Sequence, residues 1–288
     1  MDSSSAQAAL FPGQGVGDAS SRELVAAVRP DLLELATELV GEGPFERMSE
    51  GTAYVQPAVY CASIAGYERL GRPEPEYYAG HSLGEIGALA AAGAIDDADG
   101  LRIVVARGRV MEEAAVRSEP GGMLAVGSDR KGAAALAAEH GLTLANENSP
   151  QQFVLSGPLP AIEAAEAAAK GSGVRAKKLA VAGAFHTGAM SSGVEPFRRA
   201  LDQIEFRPPH APVISSTTAE PFGEDARDAL AASLISPIRW TAVLGRLREL
   251  RVARFVDVGP GKVLAGLVRR TINGAETETL QSKESAVA

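Results

Sequence analysis

The pentapeptide Gly-His-Ser-Leu-Gly at residues 80–84 constrains the fold of this chain more than any other stretch. Gly-x-Ser-x-Gly is the pattern of a nucleophile elbow, in which a strand turns sharply into a helix and presents the serine, here Ser82, at the turn. Glycine is needed on both sides because a Cβ atom would collide with the neighbouring strand or helix in so tight a bend. A chain with 31 glycines also produces such a pentapeptide by chance, so the flanking residues have to support the turn. They do so, because residues 76–79 can end a short strand and residues 83–92 are rich in Leu, Ile and Ala, as a buried helix requires.

Composition narrows the class of protein. Across 288 residues, 45% are hydrophobic and only 5% aromatic, so Ala, Val and Leu have to fill a sizeable core. The net charge of −8 argues against a nucleic-acid-binding protein, which requires a basic face. Cys61 is the single cysteine, which excludes an internal disulfide and fits a reducing compartment. The first residues show no secretory signal pattern, and the longest apolar run, residues 86–95, is far shorter than a membrane span, so we expect a cytoplasmic protein that does not bind a membrane.

The order of helix and strand patterns predicts an α/β fold made of a core and an insert. Residues 121–187 carry the order βαββαβ, which matches a ferredoxin-like split βαβ unit. Residues 1–120 and 188–288 form the α/β core around it. Within the insert we predict strands at 123–127, 142–145, 153–156 and 178–182 and helices at 131–140 and 161–170. In the core we predict strands at 8–11, 211–215 and 254–258, and a polar, frayed tail after residue 279.

The base that Ser82 needs has to come from one of four histidines. A serine hydroxyl is a weak nucleophile without a base within hydrogen-bonding distance. His81 adjoins the serine, so its side chain leaves the turn in another direction and we interpret it as a positioning group. His140 ends a predicted helix, where the helix dipole favours a cation, and His210 lies in a proline-rich loop. His186 remains, just after the last strand of the insert, and we predict that it is the base.

One arginine and two loops carry further chemical information. Arg107 follows the apolar helical segment 103–106, and a buried arginine needs an anionic partner. A guanidinium holds a carboxylate with two parallel hydrogen bonds, so that partner is either a substrate carboxylate or an internal Asp or Glu, and the residues leave both open. The loop 12–15 could turn a backbone N–H toward the serine and complete an oxyanion hole with the N–H of Leu83. The glycine-rich loop 258–262 lacks the spacing of a P-loop, so we interpret it as a tight strand-to-helix turn.

Seven short motifs occur together and in order between residues 8 and 270. They are Phe-Pro-Gly-Gln-Gly at 11–15, Gln-Pro at 56–57, Gly-His-Ser-Leu-Gly-Glu at 80–85, Arg-Gly at 107–108, Asn-x-Asn at 146–148, Ala-Phe-His at 184–186 and Val-Gly-Pro-Gly-Lys at 258–262. With these motifs the chain resembles malonyl-CoA:acyl-carrier-protein transacylases and the related acyltransferase domains of polyketide synthases. A single motif of this kind is common, whereas seven in register are specific.

The resemblance implies a fold and a reaction. The fold would be an α/β-hydrolase-like core that carries the ferredoxin-like subdomain, with the active site in the cleft between them. Ser82 would take a malonyl group from malonyl-CoA and pass it to the phosphopantetheine thiol of an acyl carrier protein, with His186 as the base. No cofactor is implied, since malonyl-CoA is a substrate.

The resemblance also implies roles for individual residues. The N–H groups of Gln14 and Leu83 would hold the oxyanion, and Arg107 would pair with the free carboxylate of the malonyl group. The main-chain carbonyl of Ser233, rather than a carboxylate, would orient His186.

Further residues would shape the substrate site. Phe185 stands beside the base, and its ring would leave little room for an α-methyl branch, which favours malonyl over methylmalonyl. The remaining motif positions that the resemblance assigns to substrate binding are Gln56, Asn146 and Asn148. No metal site is expected, because the histidines are scattered and the cysteine stands alone.

Two other classes of function stay open at this point. A serine thioesterase or acyl hydrolase would use the same elbow, but it expects an acidic third member, and no Asp or Glu adjoins His186. That class also gives Arg107 no purpose. A non-catalytic module that docks carrier proteins is the second alternative, and it leaves Ser82 and His186 unexplained.

Carrier proteins are typically acidic, so docking requires a local basic patch on this acidic chain. The candidate cations are Arg175, Lys177, Lys178, Arg269 and Arg270. An ordinary solvated surface explains the same residues equally well. The sequence does not distinguish fatty-acid from polyketide synthesis.

Overall fold

The computed structural model describes residues 6–15, 21–41, 43–181, 183–280 and 282, and these form a mixed α/β fold. The strands are β1 Ala6–Phe11, β2 Tyr77–Gly80, β3 Gly121–Gly127, β4 Thr143–Ser149, β5 Gln152–Pro158, β6 Arg175–Lys178, β7 Val213–Ile214, β8 Val252–Asp257 and β9 Glu276–Thr279. The helices are α1 Ser21–Val28, α2 Pro30–Val40, α3 Thr52–Arg69, α4 Gly84–Ala91, α5 Asp97–Arg117, α6 Arg130–Glu139, α7 Leu159–Gly171, α8 Ser191–Leu201, α9 Ala226–Ala232, α10 Trp240–Glu249 and α11 Val263–Thr271. Short 3-10 helices span Gly188–Met190 and Ser233–Ile235.

The larger sheet has the order β7-β2-β1-β8-β9, and its strands are all parallel. Its central strand β1 is apolar at every position from Ala8 to Phe11, so both of its faces are buried. Because side chains alternate along a strand, Ala8 and Leu10 enter one hydrophobic cluster, while Ala9 and Phe11 enter the cluster on the opposite face. A parallel sheet covered by helices on both sides has this pattern.

The smaller sheet has the antiparallel order β4-β5-β3-β6 and follows the chain order β3-α6-β4-β5-α7-β6. Helices α6 and α7 close a third hydrophobic cluster against one of its faces, built around Leu124, Leu155 and Ile162. Strand β4 also touches the larger part of the chain, because Ala145 and Glu147 exchange backbone hydrogen bonds with Ile238. The smaller sheet is thereby fixed beside the carboxyl end of the larger one.

The structure corrects three of the predicted elements. The strand predicted at 178–182 is instead Arg175–Lys178, and Ala182 lies outside the described residues. The strand predicted at 211–215 is reduced to Val213–Ile214. Strand Glu276–Thr279 was not predicted, and it forms the edge of the larger sheet by pairing with β8. Among the described residues, no helix is both long and apolar enough to cross a membrane.

Candidate active site

Ser82 lies in the turn between β2, which ends at Gly80, and α4, which begins at Gly84. Its backbone φ is +54°, in the left-handed region that a serine rarely adopts. A Cβ atom on Gly80 would lie 2.0 Å from the carbonyl carbon of Gly84, and one on Gly84 would lie 2.0 Å from the carbonyl oxygen of Phe11. No larger side chain fits at either position, which is why the turn requires both glycines. Strained backbone of this kind persists where the surrounding packing holds it, often at functional sites.

His186 is the histidine that reaches Ser82. Its Nε2 atom lies 2.9 Å from the serine Oγ, and its own φ is +61°. Its Nδ1 atom lies 2.9 Å from the main-chain oxygen of Ser233 and 3.1 Å from that of Ser236. Carbonyl oxygens only accept hydrogen bonds, so Nδ1 carries the proton and the Nε2 lone pair faces the serine hydroxyl. The imidazole is thus held in the tautomer that can accept a proton from Ser82.

The surroundings of His186 also keep it neutral. Burial is the main cause that lowers the pKa of its imidazole, to about 3, and the positive charge of Arg107 acts in the same direction. The carbonyls of Ser233 and Ser236 oppose this shift. A base that is unprotonated at neutral pH is available for every encounter with a substrate.

The side chains of the other three histidines form no hydrogen bond with Ser82 in the described part of the chain. His81 turns away from the serine: its Nε2 atom lies 2.8 Å from Oδ1 of Asn148, and its ring packs 5.4 Å from that of Trp240. The Nε2 atom of His210 lies 3.0 Å from the hydroxyl of Tyr78, and His140 follows the end of α6. Cys61 is buried in α3, and burial raises the pKa of its thiol to about 12, so it does not compete as a nucleophile.

Two backbone N–H groups near the serine are available as donors. Within the described part of the chain, the N–H groups of Gln14 and Leu83 donate to no acceptor. Leu83 directly follows the serine and precedes α4, so its N–H belongs to the positive end of that helix. Gln14 lines the cavity in front of Ser82. An oxyanion hole requires free donors of this kind.

Arg107 is buried in the middle of α5 with only 2% of its surface exposed. Its Nη1 group donates to Oε1 of Gln56 at 2.9 Å, and its Nη2 group donates to Oγ of Ser82 at 3.0 Å. Among the described residues, no carboxylate lies within ion-pair distance of it. Burial lowers the pKa of the guanidinium to about 10, against the attraction of Glu85. The described part of the chain therefore supplies no ion-pair partner for Arg107, and three of its five N–H donors make no hydrogen bond there.

Glu85 is a buried carboxylate that the sequence motifs contain but to which we assigned no role. It lies in the first turn of α4, and its Oε1 atom accepts the N–H of Ser216 at 2.6 Å and the hydroxyl of Ser215 at 3.2 Å. Burial raises its pKa to about 7, although those hydrogen bonds and the charge of Arg107 oppose the shift. It ties the helix after the elbow to the end of β7.

A cavity of about 460 Å³ opens in front of Ser82. It is lined by residues of the larger part, including Gln14 and Met111, and by residues of the smaller sheet, including Met123 and Asn146. Phe185 also lines it. Sequence reasoning missed its apolar walls, which are Met48, Val55, Met111, Met123, Leu179 and Val181. The place of Met111 in the cavity could have been predicted, because it lies four residues after Arg107 and therefore on the same face of α5.

Asn146 and the loop at 258–262 complete the account of the predicted positions. The Oδ1 atom of Asn146 is buried and has no hydrogen-bond partner among the described residues, so it can bind a ligand. In the loop, the Asp257 carboxylate accepts the N–H groups of Gly259 at 3.4 Å and Ala265 at 2.9 Å. These amides are already bonded, which fits a strand-to-helix turn rather than a phosphate site. Within the described part of the chain, no group of acidic, histidine or cysteine side chains could hold a metal ion.

Several known proteins resemble this chain in sequence and in fold. The acyl transferase domain family matches residues 25–285. Malonyl CoA-acyl carrier protein transacylase from Haemophilus influenzae is 35% identical over 92% of both chains. Polyketide biosynthesis protein PksE from Bacillus subtilis is 36% identical over 96% of this chain, which spans only 38% of that longer protein. A malonyl-transacylase solved in complex with a type II polyketide synthase acyl-carrier protein superposes with a TM-score of 0.86 at 32% identity, covering 96% of each chain.

Proposed function

The chain belongs to the acyl transferase domain family, and from this membership we propose that it transfers a malonyl group from malonyl-CoA to the phosphopantetheine thiol of an acyl carrier protein. The observation that carries the proposal is the buried Arg107, which has no carboxylate partner among the described residues and bonds directly to Ser82. A nucleophile with a free guanidinium beside it suits an acyl group that ends in a carboxylate.

In the first half-reaction, Ser82 Oγ attacks the thioester carbonyl of malonyl-CoA and gives its proton to Nε2 of His186. The N–H groups of Gln14 and Leu83 hold the oxyanion of the tetrahedral intermediate. The C–S bond then breaks, and the imidazolium returns its proton to the thiolate, so that CoA leaves as a thiol. The product is a malonyl ester on the serine.

The second half-reaction runs the same steps in reverse with a different thiol. The phosphopantetheine thiol of the carrier gives its proton to His186 and attacks the ester carbonyl. The same two N–H groups hold the oxyanion, and the serine leaves with the proton from the imidazolium. No cofactor takes part in either half-reaction.

The substrate is selected at both ends of the acyl group. Arg107 pairs with the malonyl carboxylate through N–H donors that are unused in the free protein, while Gln56 fixes the guanidinium. Phe185, with 5% of its surface exposed, walls the cavity beside the base and leaves little space for an α-methyl branch. Asn146 supplies a polar group to the acyl-pantetheine chain. Asn148 acts indirectly, because its side chain holds the His81 ring through a hydrogen bond.

The same proposal covers the finer description of the fold. An α/β-hydrolase-like core comprises residues 1–120 and 188–288, and a ferredoxin-like subdomain comprises residues 121–187. The parallel order β7-β2-β1-β8 with the elbow after β2 supports the first assignment, and the antiparallel order β4-β5-β3-β6 supports the second. The free thiol of Cys61 supports the reducing cytoplasm as the compartment.

Hydrolysis is the alternative that the site supports less well. A hydrolase triad would place a carboxylate at Nδ1 of His186, whereas two main-chain carbonyls occupy that position. A hydrolase also needs no cation that binds the acyl terminus.

Intact-protein mass after brief mixing with malonyl-CoA tests the proposal. We expect a malonyl adduct on the wild type that a holo acyl carrier protein removes with formation of malonyl-carrier. The Ser82→Ala variant should form no adduct, and its transfer rate should fall by about 10⁴-fold or more. Steady release of CoA without any malonyl-carrier would instead identify a hydrolase.

A further inference from the structure

The side chain of Gln56 has none of its surface exposed, and both ends of its amide are bonded. Its Oε1 atom accepts a hydrogen bond from Nη1 of Arg107 at 2.9 Å. Its Nε2 atom donates to Oγ1 of Thr52 at 3.0 Å and to Sδ of Met111 at 3.2 Å. An amide nitrogen carries two hydrogens, so each of them has an acceptor here. The amide is therefore fully bonded in one of its two orientations.

The opposite orientation of the Gln56 amide is blocked at both ends. Half a turn would bring its nitrogen against Nη1 of Arg107 and its oxygen against the sulfur of Met111. A guanidinium only donates and a thioether only accepts, so both contacts would be repulsive. The Thr52 hydroxyl adds a third contact, which fixes the place of a side chain that otherwise has several rotatable bonds. The amide thus presents its oxygen, and not its nitrogen, to Arg107.

The first turn of α3, which carries Thr52, is itself held against α5. A Cβ atom on Gly108 would lie 2.9 Å from Cα of Ala53 and 3.0 Å from the carbonyl oxygen of Thr52. Only a residue without a Cβ atom permits this approach, which accounts for the glycine of the Arg-Gly motif at 107–108. One turn further along α5, the Glu112 carboxylate accepts the N–H of Ala53 at 3.0 Å. That N–H has no acceptor within its own helix, so the bond caps α3 and fixes its first turn on α5.

This chain of contacts ends at the charge that the proposed function assigns to the substrate carboxylate. Nη1 of Arg107 is held by Gln56, and Nη2 donates to Oγ of Ser82 at 3.0 Å. A guanidinium pairs with a carboxylate through two parallel hydrogen bonds, and this requires its plane to be fixed before the carboxylate arrives. Gln56 can fix that plane only while its own amide is held.

Building on the proposed function, we propose that Thr52 and Met111 are positioning residues for the malonyl carboxylate, because they fix the Gln56 amide and through it the guanidinium of Arg107. An acetyl group has no carboxylate for the guanidinium to hold. Loss of either contact should therefore slow loading from malonyl-CoA more than loading from acetyl-CoA. A merely structural role would slow both reactions equally.

The test removes each contact while keeping the shape of the side chain. Thr52→Val replaces the hydroxyl with a methyl group, and Met111→Leu removes the sulfur acceptor at similar volume. Thr52→Ser is the conservative variant that keeps the hydroxyl. Ser63→Ala is the matched control, since Ser63 is a buried residue of the same helix whose hydroxyl donates to a main-chain carbonyl of α3. Intact mass follows acyl loading of Ser82 and gives kcat/KM for each CoA ester.

We expect Thr52→Val and Met111→Leu to lower the ratio of malonyl to acetyl loading by about 5- to 20-fold. Thr52→Ser and Ser63→Ala should keep this ratio within about twofold of the wild type. Equal losses with the two esters would overturn the proposal, and so would a Thr52→Ser variant with the same defect as Thr52→Val. Urea unfolding on the same samples shows which variants fold, and if Thr52→Val does not, Met111→Leu decides alone.

A wild-type protein that loads no acyl group would instead overturn the proposed function. The contacts of Gln56 are then tested by a crystal structure of Met111→Leu. Loss of the hydrogen bond between Nη1 of Arg107 and Oε1 of Gln56 would support the positioning role. An unchanged bond would overturn it.

Discussion

Helix α5 carries two charged sites, one half-buried and one buried, and they differ in how the charges are paired. At its first residue, Asp97 lies 2.6 Å from Nη1 of Arg29 and 3.1 Å from Nη1 of Arg72, and Arg29 also pairs with Asp31. Ten residues further along, Arg107 has Gln56 and Ser82 as its hydrogen-bond partners and no carboxylate in reach among the described residues. The charges around Asp97 therefore pair with one another, whereas Arg107 has no paired carboxylate among the described residues.

The pKa values of the two arginines report this difference. The hydrogen bond with Asp31, and then the bond with Asp97, raise the pKa of Arg29 despite its burial. Burial lowers the pKa of Arg107 to about 10, and the attraction of Glu85 only partly offsets this shift. A buried cation without a partner costs stability, so a protein keeps one where it has a use. Among the described residues, the unpaired site therefore suits the anion that the proposed function requires, and the paired site stabilises the fold.

The largest expected effect comes from removing the open charge. Arg107→Met should slow malonyl loading of Ser82 by about 10²- to 10³-fold, because the malonyl carboxylate loses its charged partner. Acetyl loading from acetyl-CoA should change little, and the free energy of unfolding in urea should not fall, because the cost of burying an unpaired charge leaves with the side chain. Loading with each CoA ester, followed by intact mass, measures the ratio.

Arg109→Met is the matched control for that substitution, since Arg109 lies two residues along the same helix and is exposed. It should leave both loading rates unchanged. Equal losses with malonyl and acetyl in Arg107→Met would break the comparison, because they would assign the arginine to Ser82 itself rather than to the substrate carboxylate.

Glu85 sharpens the comparison through pH. Its folded pKa of about 7 lies above its ordinary value of 4.5, so the folded state holds the proton more tightly than the unfolded chain. Its contribution to the free energy of unfolding is fully present below pH 4.5 and is lost as the pH rises through about 7. Glu85→Gln keeps an oxygen that can accept the Ser216 N–H and removes the titration.

We expect the free energy of unfolding of Glu85→Gln, relative to wild type, to rise by about 2–3 kcal/mol between pH 4.5 and pH 8. His186, whose pKa is lowered, acts with the opposite sign between about pH 6.5 and 3, and Asp257, whose pKa burial raises to about 6, acts with the same sign as Glu85. Both groups are present in the two proteins, so the difference curve from urea titrations isolates Glu85. A flat difference would show that the pKa of Glu85 is the same in the folded and the unfolded states.

Sequence reasoning succeeded where the signal was local and failed where packing decides. The elbow could be predicted, because both glycines and the serine stand within one pentapeptide, even though Gly84 avoids a clash with the distant Phe11. His186 was predicted as the base because only four histidines compete, and the structure brings it to the serine. By contrast, the unpaired state of Arg107 could not be predicted, because it depends on which carboxylates the fold leaves within reach.

The two strands that sequence reasoning misplaced or missed are both edge strands. β6 has the sequence RAKK and β9 has the sequence ETET, and neither shows apolar alternation. An edge strand pairs on one side only, and charged residues on it are common because they oppose aggregation. The apolar residues that suggested a strand at 178–182 are in fact the wall of the serine cavity, formed by Leu179 and Val181. Hydrophobic pattern alone does not separate a strand from a binding surface.

The smallest expected effect comes from breaking the paired site. Asp97→Asn removes the shared carboxylate, but Arg29 keeps Asp31 and Arg72 keeps Glu68, so the loss should be only about 1–2 kcal/mol in the free energy of unfolding. Malonyl loading should stay at the wild-type rate, because this site lies about 15 Å along the helix from Arg107. Asp99→Asn, which breaks a more exposed pair with Arg102, should change stability by less than about 0.5 kcal/mol. Urea unfolding and malonyl loading are measured on the same samples. A loading defect in Asp97→Asn without a loss of stability would mean that the two charged sites are coupled through α5. The helix could then not be divided into a structural end and a functional end.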